Sequence, residues 1–312
     1  MPLSDDLTHL PSREEPDESP SEDLSATPAE LRFGGSWKMV IPFAVLPLLI
    51  VSASVAIFFL FGKLAQNQLG PHDYLQELKS ASGHKRWQAA FELSGYLARQ
   101  DIGAEKKEFE REILSLLKSS RGEEATFRRY LLVALAQVGS EASLPALIEI
   151  VRETPESETR IYGLLALARI GSPEAAQIVA DELKSEDAGI RKTAAFALGF
   201  VGNSRDIPKL ENLLEDSTVD VRWNAALGLA RLGSPSGSHE LLRLIDVEQL
   251  RQETPNLRES ERNEIMLSAV NAIGRLKLKS AREKVSELAK VSADTRLRTA
   301  ARQVEELLAN NL

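Results

Sequence analysis

The side chains that most often carry out enzymatic chemistry are few and widely separated in this sequence. Cysteine is absent, which excludes disulfides, thiolate metal ligands and cysteine nucleophiles from these 312 residues. No loop of the form G-x-x-x-x-G-K-[ST] is present to hold a phosphate. The four histidines are never spaced as a metal-binding pair on one helix: His9, His72, His84 and His239. These observations predict a protein that is not an enzyme and that uses no metal, no cofactor and no small-molecule substrate.

Arginine recurs at a fixed interval in the middle of the chain. Arg160, Arg191 and Arg222 are 31 residues apart, and each is the second residue of a phrase that closes on a glycine, as in IRKTAAFALGFVG. A guanidinium at such a position can bond backbone carbonyls or carboxylates near the preceding turn, such as Glu158, Asp187 and Asp220. The sequence therefore predicts a structural ladder of stacked arginines, and an anion-binding groove is the functional alternative. The predicted ladder consists of Arg128, Arg160, Arg191 and Arg222.

The segments that carry these arginines are predicted to be helices. Alanine and leucine are abundant, aromatic residues make up 5% of the chain, and few segments alternate as strands do. The repeated phrases and their flanking helices predict seven helical hairpins over residues 71–312, with left-handed glycines at Gly171, Gly202 and Gly233. One longer interval, residues 246–258, contains Pro255 and many polar residues, so an exposed loop is expected there. Such a loop is either a tolerated insertion or part of a binding face.

The repeated phrases resemble short HEAT-like repeats of the kind found in phycobilin lyase proteins. Typical members read V-R-x-x-A-A-x-A-L-G-x-L-G, and IRKTAAFALGFVG and VRWNAALGLARLG follow that pattern closely. The first hairpin departs from it with Leu97, and the sixth with Met266 and Lys277, in place of the repeated residues. The resemblance implies an all-α fold, an α-solenoid wound as a right-handed superhelix of about seven hairpins, which binds other macromolecules. It transfers no active site.

A stripe of side chains lies one, five and nine positions after the repeated arginine, or after the residue that takes its place. If the second helix of each hairpin lines the concave side, as the resemblance implies, aromatic and basic side chains would line a groove with the composition of interface hot spots. The alternative is that the residues at the fifth position only pack against their own first helix. The predicted partner-binding residues are Trp87, Phe91, Arg129, Lys192, Phe196, Phe200, Trp223 and Arg231.

Two segments precede the array. Residues 1–35 carry nine acidic and two basic residues, a net charge of −7, with few large apolar side chains, and are predicted to be a disordered acidic tail. That tail is either solubilising or an interaction segment with phosphorylatable serines such as Ser19 and Ser21. Residues 39–61 are uncharged and would span roughly 35 Å as a helix, so a transmembrane helix is predicted within residues 36–63. A cleaved signal peptide and a buried core helix are the less fitting alternatives.

The predicted domains are thus the tail 1–35, the membrane helix 36–63, a linker 64–70 and the repeat domain 71–312. Arg32 and Lys38 precede the span and Lys63 follows it, which slightly favours a repeat domain outside the cytoplasm of a bacterial inner membrane. The net charge of −8 disfavours nucleic acid as a partner. The function predicted from the sequence is a membrane-anchored scaffold for protein partners in a membrane complex. A chromophore-lyase-like enzyme and a nucleic-acid-binding protein are the alternatives.

Overall fold

Helical hairpins make up the described part of the chain beyond residue 70. The structure is a computed structural model and describes residues 48–58, 70–120 and 125–309. The first helices of the hairpins are α1 (Pro71–Ser80), α3 (Lys106–Ser119), α5 (Leu144–Glu153), α7 (Ala176–Asp181), α9 (Ile207–Asn212), α11 (Ser238–Leu244) and α14 (Arg282–Val291). The second helices are α2 (His84–Arg99), α4 (Ala125–Val138), α6 (Ser157–Ile170), α8 (Ala188–Val201), α10 (Val219–Arg231), α13 (Glu259–Leu276) and α15 (Thr295–Ala309). The predicted all-helical repeat fold is confirmed, whereas the handedness of the superhelix stays a prediction.

The second helices form one continuous layer. Each packs directly on the second helix of the next hairpin, while contacts between successive first helices are sparse. In a curved array the layer with the closer spacing lies on the inner side. We therefore call the solvent-exposed side of the second helices the inner face.

Small residues permit this close spacing. On α8 the buried positions Ala194, Ala195 and Leu198 turn toward the neighbouring helices, as their spacing of one helical turn requires. Asp187 starts the helix, because its carboxylate accepts hydrogen bonds from the amides of Gly189 and Ile190 at 2.7 and 3.3 Å.

The buried side chains form two apolar clusters that meet on α10. The first cluster runs from Leu75 to Leu229, and the second contains Trp223 and continues to Leu308. Helix α10 belongs to both, because Val221 and Leu229 face the first cluster while Trp223 faces the second. The buried core of the solenoid therefore consists of two clusters that adjoin on one helix.

The repeated arginines connect successive hairpins. Arg191 donates from Nε and Nη2 to Asp216 at 2.8 and 3.0 Å, and from Nη1 to the carbonyls of Ser185 and Glu186, both at 2.9 Å. Asp216 lies just after the first helix of the following hairpin. The arginine thus joins the end of its own first helix to the end of the next one.

The other three arginines of the predicted ladder make related contacts. Arg160 pairs with Glu182, and Arg128 approaches Thr154 at 3.4 Å. Arg222 donates to the carbonyl of Asp216 at 2.7 Å. The predicted partners Glu158, Asp187 and Asp220 are not the ones used. A ladder role for these four arginines is consistent with the contacts and stays a prediction until the substitution proposed below is made.

Two of the three repeat-closing glycines adopt the predicted left-handed conformation. Gly171 and Gly233 have φ values of +74° and +80°. The expectation for Gly202 is wrong, because its φ is −80°. A Cβ there would lie 2.5 Å from the carbonyl oxygen of Leu198, so close packing accounts for this glycine. In the sixth hairpin Lys277 takes the glycine position with a φ of +51°.

The interval 246–258 is not simply an exposed loop. It contains an additional helix, α12 (Val247–Glu253), whose Leu250 is buried in the second cluster. Asp246 caps this helix by accepting from the amide of Gln249 at 3.0 Å, and it also pairs with Lys284 at 2.6 Å. The insertion therefore packs onto the array, and the prediction of a loop is wrong over these seven residues.

The predicted transmembrane helix lies mostly outside the described residues. Residues 39–47 and 59–61 are not described, and residues 48–58 are helical with every side chain exposed. Eleven helical residues span about 16 Å, roughly half of a hydrocarbon core. Within the described ranges, no helix is both long enough and apolar enough to cross a bilayer. This finding contradicts the predicted single-pass membrane localisation. The acidic tail 1–35 and linker residues 64–69 also lie outside the described residues.

Candidate functional site

Three aromatic residues gather at the amino-terminal end of the inner face. Trp87 stacks on Tyr130 with 6.2 Å between ring centroids, and Phe91 meets the same ring edge to face at 5.2 Å. Phe91 is 48% exposed although it is a large apolar side chain. The cluster joins helices α2 and α4. Tyr130 was not among the predicted residues, because it lies two positions after the repeated arginine rather than one.

A second aromatic cluster lies on the central hairpins. Phe196 and Phe200 contact each other on α8 with ring centroids 4.9 Å apart, and Phe200 is 46% exposed. The guanidinium carbon of Arg231, on α10, lies 4.9 and 4.4 Å from the two ring centroids. A cation at these distances is attracted by both aromatic faces. Three predicted residues from two hairpins therefore meet at one point of the inner face.

Two glycines bring Arg231 over the aromatic rings. A Cβ added to Gly199 of α8 would lie 2.7 Å from the Cα of Gly228 on α10 and 3.4 Å from the Cδ of Arg231. The two helices therefore approach closely where neither has a side chain. The stem of Arg231 lies across this contact, which fixes the height of its guanidinium above α8.

Arg231 is a half-buried cation without an acidic partner in the described part of the chain. Its Nη1 atom is buried and makes no hydrogen bond. Burial lowers the pKa of its guanidinium, and the positive charge of Arg275 on α13 lowers this pKa further. Arginine nevertheless stays protonated at neutral pH, so an uncompensated positive charge remains here.

The predicted basic residues Arg129 and Lys192 are occupied differently. Arg129 pairs with Glu158 on the next second helix, and Lys192 pairs with Asp220 at 3.3 Å in the same way. These partners are the acids that the sequence had assigned to the ladder. Both cations therefore link neighbouring helices, which leaves them less available to a partner than their position alone suggested.

Trp223 is not a surface residue. Only 5% of it is exposed, and its side chain belongs to the second cluster together with Met266. It forms the floor of a groove of about 580 Å³ whose wall includes Leu257 and Ile265. The sequence placed Trp223 among the partner-binding residues, but the insertion and α13 cover it, so little of its surface is open to a partner. Leu257, which belongs to the insertion, was not predicted to reach the inner face.

Two further arginines extend the stripe. Arg169 on α6 and Arg275 on α13 stand nine positions after Arg160 and Met266, as Arg231 stands nine positions after Arg222. Both are exposed, and neither has an ion-pair partner among the described residues. Arg275 was missed because the sixth hairpin has Met266 in place of the arginine that marks the repeat. Counting nine residues from Met266 would have found it.

Comparison with known proteins places the fold among repeat proteins. A sequence family described as HEAT repeats matches residues 110–188 and 178–254. No curated protein matches this chain.

Among solved structures, the complex of CpcE and CpcF of phycocyanin lyase from Nostoc sp. PCC7120 has 20% identity and a TM-score of 0.58. The match covers 80% of this chain and 97% of the matched lyase chain. YibA of Escherichia coli has 16% identity and a TM-score of 0.45, covering 79% and 96%. A designed armadillo repeat protein has 17% identity and a TM-score of 0.34, covering 76% and 99%.

The phycocyanin lyase match overturns one prediction. The sequence predicted that the chain is not an enzyme, but the same fold occurs in a lyase complex at nearly full coverage of that chain. At 20% identity the match shows the fold and carries no reaction over to this chain. The absence of catalytic motifs was thus an insufficient reason to exclude enzymatic function.

Proposed function

From the HEAT repeats that residues 110–254 contain, we propose that this chain binds a protein partner along its inner face. The partner presents an apolar segment that also carries carboxylates. The observation that carries this proposal is the exposure of large apolar side chains on the second helices: Phe91, Leu165 and Phe200 are 48%, 37% and 46% exposed. Aromatic and arginine side chains that become buried on association contribute strongly to protein interfaces.

Charge complementarity supports the choice of an acidic segment. Arg169, beside Leu165 on α6, is exposed and unpaired within the described residues. Arg129 and Lys192 are already paired with carboxylates, so the remaining free positive charge of this stripe lies at its last position on α6, α10 and α13, which is Arg169, Arg231 and Arg275. An extended or helical segment laid across the second helices would meet both apolar side chains and arginines.

Site-specific cross-linking tests this proposal directly. A photoreactive benzoylphenylalanine is introduced in the full-length chain at Phe200, and at Val291 as a matched control. Val291 is apolar and 66% exposed, but it lies on the first helix α14. We expect position 200 to give a discrete protein adduct in the cells of origin, with the cross-linked peptide rich in acidic and apolar residues. The proposal fails if both positions give the same adducts or if position 200 gives none.

Substitutions then measure how much the inner face contributes to partner binding. Phe200→Ala removes an exposed aromatic ring and is expected to weaken capture of the cross-linked partner at least tenfold. Val291→Ala is expected to leave capture unchanged. Circular dichroism of both variants checks that the helical content is retained. Equal loss of capture in the two variants would show that the inner face is not the binding surface.

A lyase-like role is the second candidate, supported by the fold shared with the phycocyanin lyase complex. In that case the inner face would hold a linear tetrapyrrole. Adding a linear tetrapyrrole to the purified chain would then shift its visible absorbance, and Phe200→Ala would reduce the shift. An unchanged spectrum at saturating tetrapyrrole would reject this candidate and leave the protein-binding proposal standing.

A further inference from the structure

A small cavity lies beside Arg231, between α10 and α13. Its volume is about 160 Å³, roughly the space of five water molecules at ~30 Å³ each. The polar side chains that line it are Arg231, Ser268, Asn271 and Arg275, and Leu227 contributes an apolar wall. It is too small for a folded segment but large enough for one tetrahedral or planar ionic group.

The cavity brings two positive charges together and contains no negative one. Neither Arg231 nor Arg275 has a carboxylate within ion-pair distance among the described residues. The half-buried arginines of the predicted ladder differ in this respect, since Arg191 and Arg160 each meet a carboxylate of the next hairpin. Two like charges placed side by side in a partly buried cavity oppose each other and cost stability.

The donors of the cavity outnumber its acceptors. A guanidinium offers five N–H donors and no acceptor, an asparagine amide adds two, and a serine hydroxyl adds one. The hydroxyl of Ser268 already donates to the carbonyl of Glu264 at 3.0 Å, which leaves its oxygen as an acceptor. The buried Nη1 of Arg231 lacks any hydrogen-bond partner. In native proteins such a group usually has a partner in a ligand or a water molecule.

The position of Arg231 is fixed before any ligand arrives. Its guanidinium lies on the rings of Phe196 and Phe200, and its stem crosses the contact between Gly199 and Gly228. A planar fork held in place loses little conformational entropy on binding, which favours bidentate recognition of an oxyanion.

We propose that the cavity between Arg231 and Arg275 is a binding site for an oxyanion, either a phosphate group or a carboxylate. The anion accepts from both guanidinium groups and from the amide of Asn271, and it neutralises the paired positive charges. The site does not depend on the proposed protein partner, because a free ion would bind in the same way. A carboxylate from an acidic segment and a free phosphate are two sources of the same chemistry.

The experiment follows the arginine side chains by nuclear magnetic resonance in the full-length chain. Arginine is labelled with ¹⁵N, and the Nε–Hε signals of Arg231 and Arg275 are assigned by their loss in Arg231→Lys and Arg275→Gln. Inorganic phosphate and sodium acetate are titrated separately at constant ionic strength maintained with chloride. We expect saturable shifts of both signals with at least one of the two anions.

The two titrations identify which kind of oxyanion the site binds. Saturation by phosphate alone assigns the site to phosphate groups, and saturation by acetate alone or by both anions assigns it to carboxylates or to oxyanions generally. Shifts that stay linear with both anions, or that chloride reproduces, overturn the proposal. Cross-linking at Phe200 is scored separately, so failure of the anion site leaves the protein-binding proposal intact.

Variants locate the binding. Arg275→Gln removes one exposed guanidinium and is expected to weaken anion binding at least tenfold while the fold is retained. Arg205→Gln is the matched control, since Arg205 is also an exposed arginine but lies in the turn before the first helix α9, outside the cavity and the inner face. It is expected to bind the anion as the unmodified chain does. An equal effect of both substitutions would show general charge attraction and would overturn the proposed site.

Discussion

Replacing Gly199 by alanine is expected to destabilise the protein, whereas the same replacement at Gly95 is expected to stabilise it. Both glycines lie inside second helices, Gly199 in α8 and Gly95 in α2. Intrinsic helix propensity alone favours alanine at both positions by about 0.5–1 kcal/mol. The two substitutions differ only in what the new methyl group meets.

The structure gives the magnitude of this difference. At Gly199 the methyl carbon would lie 2.7 Å from the Cα of Gly228, about 1 Å inside the optimal separation of ~3.5–4.0 Å. Backbone cannot move aside as a side chain can, so α8 and α10 must separate. Overpacking of this kind costs about 1–3 kcal/mol, which exceeds the gain in propensity. At Gly95 the nearest atom is the end of the Arg99 side chain at 3.2 Å, which is free to move.

We therefore expect Gly199→Ala to lower the free energy of unfolding by roughly 1–2 kcal/mol and Gly95→Ala to raise it by about 0.5–1 kcal/mol. Urea unfolding of the full chain, followed by circular dichroism, measures both values. In Gly199→Ala the guanidinium of Arg231 should also move from the rings of Phe196 and Phe200. If the two substitutions have equal effects on stability, the close approach of α8 and α10 described above is incorrect.

Three further predictions concern the connections between hairpins. Arg191→Ala leaves the half-buried carboxylate of Asp216 with the amide of Thr218 but without its guanidinium partner, and should lower the free energy of unfolding by about 1–3 kcal/mol. Arg251→Ala, in an exposed pair, should change this free energy by less than about 1 kcal/mol, and urea titration compares the two variants. The hydrogen bond from Arg191 holds the pKa of Asp216 below its ordinary value, so this carboxylate stabilises the fold above its unfolded pKa near 4. That stability is lost as the pH falls through the lower folded pKa, and thermal melts between about pH 5 and pH 2 should show a shallower decline in Asp216→Asn. Lys277→Gly should raise the unfolding free energy by about 1 kcal/mol, because glycine adopts a positive φ without the steric cost that lysine carries; no change in a urea titration would contradict the assigned φ.

The regular part of the fold could be read from spacing alone. Arginines and glycines that return every 31 residues mark where second helices begin and end: the arginine lies three residues after the first residue of α6, α8 and α10, and the glycine lies one or two residues after the last. Periodicity works here because each hairpin repeats the same packing. It also explains the error at Gly202, since a glycine that is required by close packing looks the same in sequence as one that is required by its φ.

The missed features belong to positions where neighbouring hairpins differ. Helix α12 is short and polar, with Leu250 as its one fully buried apolar residue, so no apolar period marked it. Trp223 lies on the side of α10 that the sequence assigned to the inner face, but periodicity cannot show that the sixth hairpin covers it. The ion pair between Arg129 and Glu158 joins two helices that lie side by side, and its partners could be matched only once the register of the repeats was known.

The division of the buried core into two apolar clusters on α10 has a consequence for how the solenoid unfolds. Repeat proteins lose structure in blocks, because each unit is stabilised mainly by its immediate neighbours. Among the described elements, helix α10 alone has buried residues in both clusters, with Val221 in the first and Trp223 in the second. The carboxy-terminal hairpins can therefore open as a cooperative block while the longer amino-terminal cluster stays folded. The backbone amides would then fall into two classes of protection against hydrogen exchange, and α10 would lie at the boundary between them.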